Sequence, residues 1–384
     1  MRIVVFILSP FLFLLSLFWR KDDNIWLYGS WYGKLYKDNS KYLFEDANRV
    51  APEINHIWIY KDLAVLKSIP KEYQSIYAYS YEGFLIQLKA RVFICTLNSS
   101  DFIPFFLTPN NIIVQLWHGS PLKNIGIDSR KTIIRKLIDK IRFNTLDAYT
   151  LCLSPASIFD ECFKSAFLLK QKSIIRASYP RNKALSMTDK LRSKVRRSLD
   201  VKEDEKLILY LPTHRNEGVA SKLYEEVLKL NRYNSLFLEN KIKFLIKPHF
   251  YEMNNFRLFK DLSSIKVLLD NTIDLYELLA SSDSLVTDYS SVFFDFELLG
   301  KPICIYPFDI EEYSLDDRGM YFSPNFIFDN LVNTRVVDSK EALVDFCISL
   351  KYENNSHKFY STIFNESPEK GSFKIIEAIK NELL

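Results

Sequence analysis

Four polar clusters in this 384-residue chain hold the residue types that handle phosphate. Asp288-Tyr289-Ser290-Ser291 sets a carboxylate and two hydroxyls directly ahead of an apolar run beginning at Val292. If that run is helical, unpaired backbone N–H groups and a positive helix end meet the hydroxyls, which makes a cradle for phosphate or pyrophosphate. Plain helix capping uses the same residues. Pro212-Thr213-His214-Arg215 offers a planar guanidinium fork at Arg215 and a hydroxyl at Thr213, a combination suited to phosphate oxygens. The plainer reading of Arg215 is a surface salt bridge. Trp117-His118-Gly119-Ser120 and Pro248-His249 contain two of only five histidines. A histidine in such a loop can take a proton from an attacking hydroxyl or steady charge on a leaving phosphate, although a lone loop histidine is usually inert.

Several missing patterns narrow the chemistry. There is no G-x-x-x-x-G-K-[ST], no G-x-G-x-x-G, no D-x-D and no His/Cys metal spacing, and nine glycines in the whole chain hardly supply a glycine-rich loop. Donor phosphates would therefore be neutralised by arginine, histidine, hydroxyls and helix dipoles, with no metal and no cofactor expected.

The elements that must position these clusters follow from hydrophobic rhythm. Short apolar or aromatic runs at Ile25–Tyr28, Ile57–Tyr60, Val92–Cys95, Ile112–Trp117, Ala148–Leu153 and Ile174–Ala177 read as strands. After a charged helical stretch, Thr188–Leu199, a second series follows: Leu207–Leu211, Phe244–Lys247, Val267–Leu269, Leu285–Thr287 and Ile303–Tyr306. Helices at Ser221–Leu230, Leu275–Ala280 and Val292–Leu299 fall between these strands, an alternation that implies parallel sheets with crossover helices in both halves. All four polar clusters then fall at carboxyl ends of strands, where open parallel sheets bind ligands.

Length favours two domains, and an apolar share of 48% with 22 Tyr and 30 Phe describes a packed globular chain. A net charge of +4 is too small to make nucleic acid a general partner. The five cysteines form no C-x-x-C pair and read as reduced core residues, in keeping with a cytosolic compartment.

Two segments bear on membranes. Ile3 to Trp19 carries no charge and is followed by Arg20-Lys21; it reads as a membrane anchor or re-entrant segment, with a cleaved signal and a core helix as alternatives. The flanking cations would keep the catalytic body on the cytosolic face of the cytoplasmic membrane. Arg130 to Phe143 is a basic amphipathic helix, which either packs its apolar face on the domain or serves an anionic partner, by docking on anionic lipid or guiding an anionic polymer.

Taken together the clusters resemble the CDP-glycerol glycerophosphotransferases that prime and polymerise teichoic acids and related capsule polymers. The resemblance rests on Gly29-Ser30-Trp31-Tyr32-Gly33 with Asp38-Asn39-Ser40-Lys41-Tyr42, on Gln115-Leu116-Trp117-His118-Gly119-Ser120 with Lys123, and on Tyr179-Pro180-Arg181-Asn182. It continues through Tyr210-Leu211-Pro212-Thr213-His214-Arg215, Lys247-Pro248-His249, Thr287-Asp288-Tyr289-Ser290-Ser291, Phe294-Asp295 and Gly300-Lys301-Pro302 ahead of Tyr306. What it implies is a GT-B-like α/β fold of two Rossmann-like domains with parallel sheets facing a central cleft: 1–21 membrane-associating, 22–183 for the acceptor, 184–384 for the CDP-polyol donor. It further implies His118 as base on the acceptor hydroxyl, and His249, Thr213, Arg215, Ser290 and Ser291 on the donor phosphates. Asp288 would orient the loop, Asp295 or Glu297 would reach the ribose or cytidine, and Gly119, Ser120 and Arg181 would complete the substrate contacts. The implied partners are a CDP-polyol and a lipid-linked or polymer acceptor at the cytoplasmic membrane surface. Two other functions fit the same pattern: a GT-B glycosyltransferase using a nucleotide sugar, and a non-catalytic membrane-bound protein that binds nucleotide or polymer.

Overall fold

A computed structural model describes residues 9–215, 220–249, 252–269, 272–310, 319–323, 334–350 and 368–384. The chain divides into two compact units, Met1–Lys183 with Thr362–Leu384, and Ala184–Ser361. The first contains strands β1 (Asp22–Tyr28), β2 (Asn55–Tyr60), β3 (Ser75–Tyr77), β4 (Ala90–Cys95), β5 (Ile112–Gln115), β6 (Leu151–Ser154) and β7 (Ile174–Arg176). They form one parallel sheet in the order β3-β2-β1-β4-β5-β6-β7. The inner strands are buried on both faces, so their sequences are continuous apolar runs.

In the second unit β8 (Lys206–Leu211), β9 (Ile242–Ile246), β10 (Ile265–Val267), β11 (Ser284–Thr287), β12 (Ile303–Ile305) and β13 (Thr334–Val336) run parallel in the order β10-β9-β8-β11-β12-β13. Each sheet thus starts at its centre, winds outward to one edge and restarts on the other side. This is the Rossmann order, with its topological switch point between β1 and β4 in one unit and between β8 and β11 in the other. Every expected strand has a counterpart, although the one expected at Val267–Leu269 lies two residues earlier, at β10. β3 and β13 were not expected; each is only three residues long and lies at or near a sheet edge, too short for a hydrophobic signal.

The second domain was expected to run to residue 384, but the chain leaves it and returns. The C-terminal helix Pro368–Asn381 packs on the first unit, where Ile375, Ile376 and Ile379 join the core around Tyr179 and Phe44. Ser372 Oγ donates to Asp46 Oδ2 at 2.7 Å, and Lys380 pairs with Glu53. At Gly371 the contact is so close that a Cβ would lie 2.4 Å from the Ser178 carbonyl oxygen.

The N-terminal expectation is corrected. Residues 3–8 of the apolar run lie outside the described residues. The rest forms a ten-residue helix, Ser9–Phe18, which docks on the first unit: Leu12 and Ser16 are buried, Ser16 Oγ donates to the Phe106 carbonyl, and Lys21 Nζ donates to Ser16 Oγ and the Leu88 carbonyl. Among the described residues no helix is long and apolar enough to cross a membrane. The basic amphipathic segment does the reverse of packing inward. It forms the helix Ile133–Phe143 and leaves Ile133, Ile134, Leu137, Ile138 and Ile141 between 56% and 78% exposed.

Candidate active site

In the first unit the switch point is filled by the loops after β1, β4 and β5. The fully buried Asp101 ties two of them together, its carboxylate accepting the backbone N–H of Tyr32 (2.6 Å), Thr96 (2.9 Å) and Leu97 (3.0 Å). Burial pushes this carboxyl up to about 6, while those three N–H groups pull it the other way. The loop after β5 is fixed by amides. Asn39 Nδ2 donates to the carbonyls of Leu116 (3.3 Å) and Trp117 (2.9 Å), and Gln115 Oε1 accepts the Trp117 N–H at 2.8 Å.

His118 emerges from this frame half-buried, its ring 4.1 Å from the Trp117 indole and 5.6 Å from that of Trp31, centroid to centroid. Its Nδ1 lies 3.4 Å from the Thr96 carbonyl oxygen. A nitrogen facing a carbonyl carries the proton, so in the neutral ring Nε2 holds the lone pair, as a general base requires. Four residues here, Trp31 (φ 49°), Tyr32 (φ 62°), Asp38 (φ 66°) and Trp117 (φ 53°), have left-handed backbone. At about 1 kcal/mol or more each, such conformations persist only where surrounding contacts over-determine them, and they gather at functional sites.

Arg181 was expected on substrate. In the structure its buried guanidinium stacks over Tyr179 and donates to Asp38 Oδ1 at 2.9 Å, and its backbone N–H reaches Asn39 Oδ1. Gly119 and Ser120 follow His118 and are buried.

The second unit places Thr213, His214 and Arg215 after β8, His249 after β9, and Asp288 to Ser291 after β11. Asp288 accepts the N–H and hydroxyl of Thr213, the Tyr289 N–H and Arg215 Nη2. Arg215, however, is not presented outward. It is 2% exposed, forks onto Asp309 through Nε (2.7 Å) and Nη2 (2.9 Å), donates to Asp288 at 2.8 Å and to the Thr213 carbonyl at 2.6 Å, and lies over the rings of Tyr289 and Phe308. Burial works against the cation, and the two carboxylates outweigh it and hold its proton more firmly than usual. The physical reason is geometric: a carboxylate matches the guanidinium fork as well as a phosphate does.

Asp295 and Glu297 are likewise interior. Both sit in the wholly buried helix Val292–Glu297, and Asp295 Oδ2 accepts the Tyr276 hydroxyl at 2.8 Å. Ser290 and Ser291 precede that helix half-exposed, with Ser290 Oγ accepting the Val292 N–H. His249 is exposed and stacks on His214, with ring centroids 5.6 Å apart. His214 Nδ1 lies 2.6 Å from Glu252 Oε1, and Glu252, fully buried, also accepts the Arg215 N–H. Sequence reasoning missed Asp101, Glu252 and Asp309, acids that belong to no recognisable motif. His214 sat inside a cited cluster without being assigned a role.

Comparison with known proteins agrees with this arrangement. A family model described as CDP-Glycerol:Poly(glycerophosphate) glycerophosphotransferase matches residues 11–379. The chain is 29% identical over 320 residues to a teichoic acid poly(glycerol phosphate) polymerase of Staphylococcus epidermidis, covering 79% of this chain but only 43% of that protein. With a teichoic acid glycerol-phosphate transferase of Staphylococcus aureus it shares 26% identity over 371 residues, 89% of this chain and 88% of the relative. Among solved structures, the wall teichoic acid polymerase TagF superposes with a TM-score of 0.81 at 25% identity, over 99% of this chain and 96% of that one. With two Rossmann-ordered units, a histidine held among indoles at one switch point and a hydroxyl-rich loop at the other, matched nearly end to end by one family, the chain belongs to the CDP-glycerol:poly(glycerophosphate) glycerophosphotransferases and is a transferase.

Proposed function

We propose that the chain transfers glycerol phosphate from CDP-glycerol to a hydroxyl of a lipid-linked or polymeric acceptor, releasing CMP. The observation that carries this reading is the setting of His118, a half-buried imidazole at a switch point whose Nδ1 faces a carbonyl. Nε2 takes the proton of the acceptor hydroxyl as its oxygen attacks the glycerol-bound phosphorus in line. The new P–O bond forms while the bond to CMP breaks, and the leaving phosphate carries away the electron pair. On the donor side Thr213, Ser290, Ser291 and the exposed imidazole of His249 meet the diphosphate. Asp288 and Arg215 hold that loop in shape from beneath, so Arg215 acts on the donor through the loop rather than by touching it. No metal or further cofactor enters this scheme.

We further place the protein at the cytosolic face of the cytoplasmic membrane. The helix Ile133–Phe143 supports this placement, because it offers five exposed apolar side chains flanked by Arg130, Lys131, Arg135, Lys136, Lys140 and Arg142, the pattern of a helix lying in an anionic interface.

The test is nucleotide release by the full chain in detergent, with CDP-glycerol, CDP-ribitol or UDP-sugars as donors and lipid-linked acceptors present. CMP is expected from CDP-glycerol, and His118→Ala lowers its rate about 10²- to 10⁴-fold. UDP release from a sugar donor alone would refute the reading.

A further inference from the structure

The buried carboxylate of Glu252 gathers groups from two strand-end loops of the second unit. Its Oε1 accepts the backbone N–H of Arg215 at 3.0 Å and lies 2.6 Å from His214 Nδ1, both in the loop after β8, while Oε2 accepts Asn255 Nδ2 at 2.8 Å. Its own N–H donates at 2.8 Å to the carbonyl of His249, in the loop after β9. An ionised carboxylate only accepts, so the His214 nitrogen facing it carries a proton. Glu252 takes the buried edge of a ring that is itself partly exposed, which turns the edge bearing Nε2 toward the strand-end surface. We infer that His214 is a further catalytic residue, donating its Nε2–H to the departing phosphate of CMP, and that Glu252 is the positioning residue that holds it there. The inference rests on the reading of these loops as the donor site.

As the acceptor oxygen bonds to phosphorus and the bond to CMP breaks, the bridging oxygen keeps the electron pair. With a second pKa of about 6, the departing phosphate leaves largely as a dianion near neutral pH, and a compensating cation serves it better than a proton. Arg215 was expected in that role, but the fold turns its guanidinium onto Asp288 and Asp309. The residue before it takes the outward position. His214 is partly exposed where Arg215 is 2% exposed, and its other neighbour, Thr213, bonds to Asp288 across the β8–β11 switch point. A protonated His214 makes an ion pair with Glu252 on its inner edge and a hydrogen-bond donor on its outer edge, and the proton stays on the ring as CMP departs. The same residue sets where the second imidazole stands, since it holds the His249 carbonyl, and the two rings stack 5.6 Å apart with planes 29° apart.

The experiment uses the full chain in detergent, with CDP-glycerol and a lipid-linked acceptor, and compares His214→Ala, Glu252→Gln and the double variant. Glutamine keeps an oxygen for the Arg215 N–H and the shape of the site, and removes only the charge. CMP release should fall about 10²- to 10³-fold in kcat for His214→Ala and about tenfold to hundredfold for Glu252→Gln, with KM for CDP-glycerol changing far less. Because Glu252 acts through the imidazole, Glu252→Gln should cost almost nothing further once His214 is alanine. Losses that multiply in the double variant would overturn the positioning role, and a kcat for His214→Ala within about threefold of wild type would overturn the catalytic one. Labelling histidine with ¹⁵N, and assigning the His214 signals by their loss in His214→Ala, reads the contact directly. Added CMP should shift Nε2, and shift it less in Glu252→Gln; His214 signals that ignore saturating CMP would also overturn the inference. Should Glu252→Gln fail to fold, the His214→Ala kinetics and the wild-type CMP titration decide. Absence of CMP release by the wild type would instead refute the proposed reaction, leaving the CMP titration to judge His214 separately.

Discussion

Arg215→Ala gives the sharpest test of how the donor loop is built. The substitution removes the guanidinium that bridges Asp288 and Asp309, which are 0% and 8% exposed and lie on loops following different strands. Two buried carboxylates would lose their shared cation, and removing one partner of a buried pair typically destabilises by about 3–5 kcal/mol. Asp288 retains the Thr213 and Tyr289 N–H groups, so the loss should not be doubled. For a unit of this size, 1 kcal/mol corresponds to roughly 2–4 °C in Tm, which places the expected fall at about 6–20 °C. Calorimetry of the full chain measures it, with CMP release assayed well below the new midpoint. Arg215→Lys keeps a charge but not the fork and should fall between the two. Arg215→Met combined with Asp309→Asn removes one charge of each sign and should recover part of the loss. A midpoint for Arg215→Ala within about 2 °C of wild type, with KM for CDP-glycerol alone raised, would refute this reasoning. It would show that the guanidinium meets the donor directly.

Two further outcomes follow from packing. Gly371→Ala should destabilise despite a gain of about 1 kcal/mol in helix propensity, because the new methyl would have to displace the Ser178 carbonyl 2.4 Å away at a cost of about 1–3 kcal/mol; a raised Tm would contradict that. Ile134→Asp with Ile138→Asp should abolish most co-sedimentation with anionic phospholipid vesicles, and leave CMP release to a soluble acceptor unchanged, since both side chains are more than half exposed; undiminished co-sedimentation would remove the helix Ile133–Phe143 from the membrane.

Much of the fold was legible because a strand buried on both faces has little choice but to be apolar, and every such run became a strand. The strand-end clusters were legible for a related reason: a parallel sheet collects its loops at one edge, so polar residues directly after apolar runs arrive together. What a residue type does not encode is its partner. Arg215 and a phosphate are well matched, but Asp309, 94 positions away, offers the same two-oxygen geometry within the fold and takes the fork first. Asp101 was hidden for the converse reason, since its three partners are backbone N–H groups that leave no trace in composition.

The two candidate membrane segments show where hydropathy stops being informative. Ile3 to Trp19, uncharged throughout, looked like membrane, yet its described part turns Leu12 and Ser16 onto the protein and is fastened there by Lys21. The helix Ile133–Phe143, dense with charge, looked more like an ordinary surface helix, yet its isoleucines face outward. Transfer free energy follows the apolar area that the fold leaves uncovered, not the apolar residues in a window. A cationic helix with an uncovered apolar stripe gains from an anionic bilayer on both counts, by burying the stripe and by pairing charge with lipid headgroups. By that argument the charged segment, rather than the uncharged one, is the better candidate to bring this enzyme to its acceptor.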